Sequence, residues 1–97
     1  MTLDDGVVVA LREGGRSLLP AGVRHVSGTF GIGDPVACVD VGGQEIARGL
    51  VAYSATEIEQ IRGAKAREIS AVLGYSNGDE VIHRDDLVWL GIPNETR

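Results

Sequence analysis

The sequence predicts a single domain, mainly β with short helices, folded as a small closed or partly closed barrel with helices at its ends. Three observations predict it. The apolar residues fall in short runs separated by glycine and proline, not in long helical stripes. Two of those runs flank Gly42-Gly43, a strong hairpin signal because primed turns need positive φ. The element order, one helix, several short strands, a helical excursion and a closing strand, suits two layers around one core. A chain of 97 residues has room for one core only. That core is aliphatic, because Phe30, Tyr53, Tyr75 and Trp89 are the only aromatic residues.

Asp4 to Glu13 reads as a helix with Leu3, Val7, Ala10 and Leu11 on one face, against the strand preference of Val7-Val8-Val9. Asp4 and Asp5 suit its amino end, and Gly14-Gly15 stop it. Leu18-Leu19 lead toward a strand, Pro20 to Gly22 form a turn, and Val23 to Ser27 form a short strand. Gly28 to Pro35 is a glycine-punctuated loop. Val36 to Val41 and Glu45 to Tyr53 are the hairpin strands, with Gly49 marking a bulge or a close backbone approach. Ser54-Ala55-Thr56-Glu57 has the spacing of a capping box ahead of a helix that ends at Gly63. A second helix is expected from Ala64 to Leu73, with Ala66, Ile69, Val72 and Leu73 on one face and Gly74 closing it. Tyr75 to Gly78 is turn chemistry. Glu80 to Leu90 is the closing strand, kinked or turned at Asp85-Asp86. The domain spans residues 1–91, and 92–97 read as a tail.

The candidate reactive residues have ordinary explanations. His25 and His83 are far apart, each in a predicted strand, with no H-x-x-x-H or C-x-x-C to make a metal site. Cys38 is the only cysteine, flanked by Ala37 and Val39, and reads as a buried structural thiol. Ser54 is a helix cap, and no G-x-S-x-G elbow occurs. His83-Arg84-Asp85 echoes the protein-kinase catalytic loop without its glycine loop, strand lysine or D-F-G aspartate. Gly28, Gly31 and Gly33 lack the spacing and the following helix of a phosphate loop. No catalytic, cofactor-binding or metal-binding residue is therefore assigned. The net charge of −5 works against a polyanionic partner. Arg62, Lys65 and Arg67 form the one basic stretch, and Glu57, Glu59 and Glu68 flank it as on a solvated helix face. The start lacks a signal peptide, and no apolar run approaches the roughly 20 residues of a spanning helix. No membrane partner is expected, and a cytoplasmic location is.

Longer strings carry a resemblance. Leu19-Pro20-Ala21-Gly22-Val23, Gly33-Asp34-Pro35-Val36 and Glu45-Ile46-Ala47-Arg48-Gly49-Leu50 resemble the PUA domain, a small pseudo-barrel. Ala10 to Val23, Ile46 to Val51 and Leu73 to Leu87 are similar, more specifically, to the C-terminal PUA domain of bacterial glutamate 5-kinases. The resemblance spans about Asp4 to Leu90. It implies a parent enzyme that phosphorylates the γ-carboxylate of glutamate to open proline synthesis, with ATP and Mg held in an N-terminal amino-acid-kinase domain absent here. Met1 then marks the edge of an excised or truncated piece. The implied role is non-catalytic, tuning the stability, assembly or feedback of the kinase domain. The implied partners are that domain of the same chain and further copies of the parent in a homo-oligomer. PUA domains elsewhere bind RNA through the glycine-containing loop after the first helix and the adjoining strands. Arg16, Pro20, Gly22 and Arg48 stand at the matching positions. The acidic balance departs from the RNA-binding pattern and disfavours that partner.

Overall fold

A computed structural model describes residues 1–91. The expected tail, 92–97, lies outside the described residues. Five strands form one mixed sheet in the order β2-β1-β3-β4-β5. They are β1 (Thr2–Leu3), β2 (Val23–His25), β3 (Pro35–Val39), β4 (Glu45–Leu50) and β5 (Leu87–Trp89). Only β1 and β3 run parallel. The helices are α1 (Asp5–Arg12), α2 (Ala55–Ile61) and α3 (Ile69–Leu73). Short 3₁₀ turns lie at Pro20–Gly22, Ala66–Glu68 and Arg84–Asp86.

The sheet has two edges, β2 and β5, and the segments leading into them meet. Leu18 precedes the Pro20–Gly22 turn and β2; Ile82 precedes the Arg84–Asp86 turn and β5. Leu18 and Ile82 form an antiparallel bridge, with Leu18 N–H donating to Ile82 C=O at 2.9 Å and Val81 N–H to Leu18 C=O at 2.7 Å. The sheet thus turns back on itself as a partly closed barrel. Its interior holds Leu3, Leu18, Val23, Cys38, Ile46, Tyr53, Val81 and Ile82, and Ile58, Ile61 and Ile69 of the helices complete the core. Burying such aliphatic side chains contributes about 1.5–3 kcal/mol each. Tyr53 is the one fully buried aromatic ring, while Phe30 and Trp89 pack against the core part-exposed.

Local chemistry sets most element ends as expected. Asp4 caps α1, its Oδ1 accepting from Gly6 N–H at 2.7 Å, and Gly14 and Gly15 take positive φ beyond its end. Gly74 closes α3 at φ 86°. Four expectations are corrected. The buried face of α1 is Val8 and Leu11, with Val7 and Ala10 half-buried, and Leu3 belongs to β1. The hairpin does not turn on two glycines at positive φ. Only Gly43 has positive φ, and Asp40 organises a wider loop, its Oδ1 accepting from Gly42 and Gln44 N–H at 2.9 and 3.0 Å. The expected helix from Ala64 starts late, because Lys65 is extended and Glu68 Oε1 accepts its N–H; Val72 is left exposed. The closing strand shrinks to β5, because the Arg84–Asp86 turn breaks it, so His83 lies outside any strand.

Gly49 is the expected close approach. A Cβ there would stand 2.6 Å from Ile82 Cγ2 and 2.7 Å from the Asp86 carbonyl oxygen. The ladder irregularity falls instead between Cys38 and Val39, which face Ala47 and Glu45, so Ile46 is the extra residue. The bulge turns both Ile46 and Ala47 inward, which simple alternation would forbid.

Candidate functional site

An open cleft of about 700 Å³ lies between α1, the Pro20–Gly22 turn and the segment from Glu80 to Arg84. Its floor is set by a close contact. A Cβ on Gly22 would meet Val7 Cγ2 at 2.3 Å, so only glycine lets the turn lie against α1. Asp4 N–H donates to Gly22 C=O at 2.9 Å and Gly63 N–H to Pro20 C=O at 2.8 Å, which ties the turn to α1 and to the end of α2. Pro20 is buried, stiffening the turn from behind.

The structure brings Arg16 and Gly22 to this cleft, with Pro20 supporting it, and places Arg48 elsewhere. Arg48 projects from β4 and pairs with Glu45, Nη2 to Oε2 at 2.7 Å and Nε to Oε2 at 3.1 Å. Sequence reasoning did not foresee that Ser17, Glu80, His83 and Arg84 complete the cleft wall with Arg16. Ser17 Oγ accepts the Arg84 N–H at 2.8 Å, across 67 positions of chain. His83 Nδ1 accepts the Asp85 N–H at 3.1 Å. No local motif announces this wall; the Leu18–Ile82 bridge creates it.

The cleft's charges are of both signs. Arg16 and Arg84 are balanced by Asp4 and Glu80, so the field inside does not favour one sign of ligand. Its floor, Val7, Ala10, Leu11 and Leu19, is apolar. His25 lies exposed on edge strand β2 opposite Thr2, Cys38 is buried in β3, and His83 stands at the cleft, so these three do not converge. Burial pushes the Cys38 thiol up to about 11, partly offset by the Met1 ammonium. A protonated, enclosed thiol is a poor nucleophile. Among the described residues, no group of three or more His, Cys, Asp and Glu is placed to hold a metal ion. No helix among them is long and apolar enough to cross a membrane.

The remaining polar cluster is structural. Tyr53, buried to its hydroxyl, donates to Gly78 C=O and accepts from Asn77 N–H at 2.8 Å, and Asn77 Nδ2 donates to Ala52 C=O at 3.0 Å. This pins the loop that carries the chain from α3 back toward the cleft.

Known proteins agree on what this scaffold is. The glutamate 5-kinase of Saccharophagus degradans is 57% identical over 90 residues, covering 93% of this chain and 24% of that protein. The glutamate 5-kinases of Stutzerimonas stutzeri and Thioalkalivibrio sulfidiphilus are 53% and 54% identical over the same length. The chain thus spans about a quarter of the length of these relatives. Among solved structures, a PUA domain from Aeropyrum pernix K1, crystallised as a tartrate complex, superposes with a TM-score of 0.59 over 86% of this chain and 41% of that one, at 23% identity. That likeness is one of fold. The profile of the PUA domain matches residues 1–73. That match covers most of the chain, the solved PUA domain shares its fold, and the chain belongs to the PUA domain family.

Proposed function

We propose that this chain is the non-catalytic accessory domain of a glutamate 5-kinase, joined to the C-terminal side of an amino-acid-kinase domain. That domain would bind ATP and Mg and transfer phosphate to the γ-carboxylate of glutamate, in the cytoplasm. The observation that carries the reading is 57% identity over 93% of the chain to one such kinase. What the chain shares with these kinases is a PUA domain. Its role is then to tune the neighbouring domain's stability, assembly or feedback response.

Two measurements test this. The isolated chain, given glutamate, ATP and Mg, is expected to form no glutamyl phosphate above background; turnover would overturn its non-catalytic role. A parent kinase with and without its PUA segment is expected to differ in proline inhibition or thermal stability. Identical behaviour would count against tuning.

A second reading, RNA binding, is favoured by one observation: Arg16, Gly22 and Arg84 line the same cleft. Asp4 and Glu80 line it too, and their charge opposes the reading. Phosphate contacts make affinity fall steeply with salt. A titration against structured RNA at low and moderate salt decides, and no binding at low salt ends the idea.

A further inference from the structure

The outer face of β4 and β5 is apolar and bare. Leu50, Val88 and Leu90 are 45%, 60% and 52% exposed. With Pro35 they line a groove of about 710 Å³ over the sheet. Strand register gathers them, since Pro35 stands opposite Leu50 and Arg48 opposite Val88. Charged side chains share the groove: the Glu45–Arg48 pair, Asp85 and Asp86. Single exposed apolar residues are ordinary, but a contiguous patch marks an interaction surface.

Two observations say what covers it. This chain corresponds to 24% of the Saccharophagus degradans kinase, so about three quarters of such a protein lies outside it. The path of β1 shows where that remainder would arrive. The Met1 nitrogen donates to Ala37 C=O at 2.8 Å and Val39 N–H donates to Met1 C=O at 2.8 Å, which continues the parallel ladder of β1 on β3. A residue ahead of Met1 would run on beside β3 toward Pro35. Met1 and Pro35 already line one groove, and Pro35 also belongs to the apolar one.

We infer that the outer β4–β5 face, centred on Leu50, Val88 and Leu90, is the surface on which the kinase domain of the parent chain docks. The inference rests on the accessory-domain reading above. Interfaces between domains of one chain are modest in area and mixed in polarity. A small apolar patch that shares its groove with charges has that character. Asp85 and Asp86 call for cationic side chains on the facing domain.

The test uses a chimaera of the Saccharophagus degradans kinase in which this chain replaces the 90 matched residues. Hydroxyl-radical footprinting reads side-chain access in the chimaera and in the isolated chain. Docking is expected to lower labelling of Leu50, Val88 and Leu90 several-fold in the chimaera, while Val9 and Val72, exposed on other elements, label equally in both. Val88→Asp is expected to leave the isolated chain folded and to restore Leu50 labelling in the chimaera; Leu50→Ser serves the same purpose if the first variant unfolds. Equal labelling of the face in chimaera and isolated chain overturns the docking. So does protection in the isolated chain that grows with its concentration, which would mean that a second copy covers the face. Glutamate-dependent ATP turnover and proline inhibition of the chimaera are read separately. Protection of the face in a chimaera that matches the PUA-deleted kinase in both supports docking and counts against the tuning role alone.

Discussion

At the scale of single residues, two positions carry disproportionate weight. Gly49 sits where strand β4 is pressed against Ile82 and the Asp86 carbonyl. Alanine would gain some strand propensity, but both contacts lie under 3.0 Å and one is backbone, so overpacking decides the sign. Gly49→Ala is expected to cost about 2 kcal/mol, lowering the calorimetric Tm by on the order of 10 °C for a domain this small. Tyr53 gives the second case. Its hydroxyl pairs Gly78 C=O and Asn77 N–H from inside the core. Removing it leaves Asn77 N–H without this partner and Gly78 C=O with only the longer Ser76 Oγ contact of 3.4 Å; both residues are exposed, so the loss is about 1 kcal/mol. Tyr53→Phe is expected to lower the urea midpoint by a corresponding amount with an unchanged slope. A changed slope would mean that the loop after α3 had already been lost from the native state.

Elements follow their sequence signals where the signal is local. Ser54 and Glu57 are three residues apart and satisfy each other, Ser54 Oγ accepting from Glu57 N–H at 3.2 Å and Glu57 Oε1 from Ser54 N–H at 2.7 Å. That capping box was legible, as were the Asp4 cap and the Gly74 stop, because each needs only its neighbours. Ser54→Ala is expected to cost about 1 kcal/mol, measured by chemical denaturation. The same carboxylate reaches further than its motif: Tyr75 donates its hydroxyl to Glu57. That bond, against the opposing pull of burial and with help from Ser54, holds the Glu57 carboxyl below its ordinary 4.5. The unfolded chain therefore takes up this proton first on acidification. The stabilisation is whole above about pH 4.5 and drains away as the pH falls through the depressed folded value. Tyr75→Phe is expected to flatten that acid-side loss in a series of denaturation curves between pH 6 and roughly 3. Elements defined by distant partners were not legible. Strand β1 is two residues long and exists because β2 and β3 bracket it. The hairpin loop was read from its glycines, but Asp40 outside them organises it. Of the four residues carried over from the family resemblance, the structure gathers Arg16, Pro20 and Gly22 around one cleft, while Arg48 faces another groove. Periodicity contains no distance between position 17 and position 84.

For the whole molecule, Cys38 is a built-in reporter. Its thiol is fully enclosed, and burial raises it to about 11. The folded state keeps the proton that the unfolded chain releases near 9, so the thiol's contribution is whole below pH 9 and is lost toward pH 11. A bulky disulfide reagent is expected to react with Cys38 only as fast as the barrel opens. Labelling as fast as in urea would mean that the core is not closed. The Leu18–Ile82 bridge has a consequence for where this fold can be cut. The family profile matches only as far as residue 73, yet Val81 and Ile82 are fully enclosed and Ile82 is what fastens the two rims of the sheet. A gene fragment ended at residue 73 would yield a strip with an unlatched seam and two open flanks, the shape that invites strands from neighbouring molecules. The last 18 described residues act as the clasp of the domain, and a fragment meant to stay monomeric must carry the chain through Trp89.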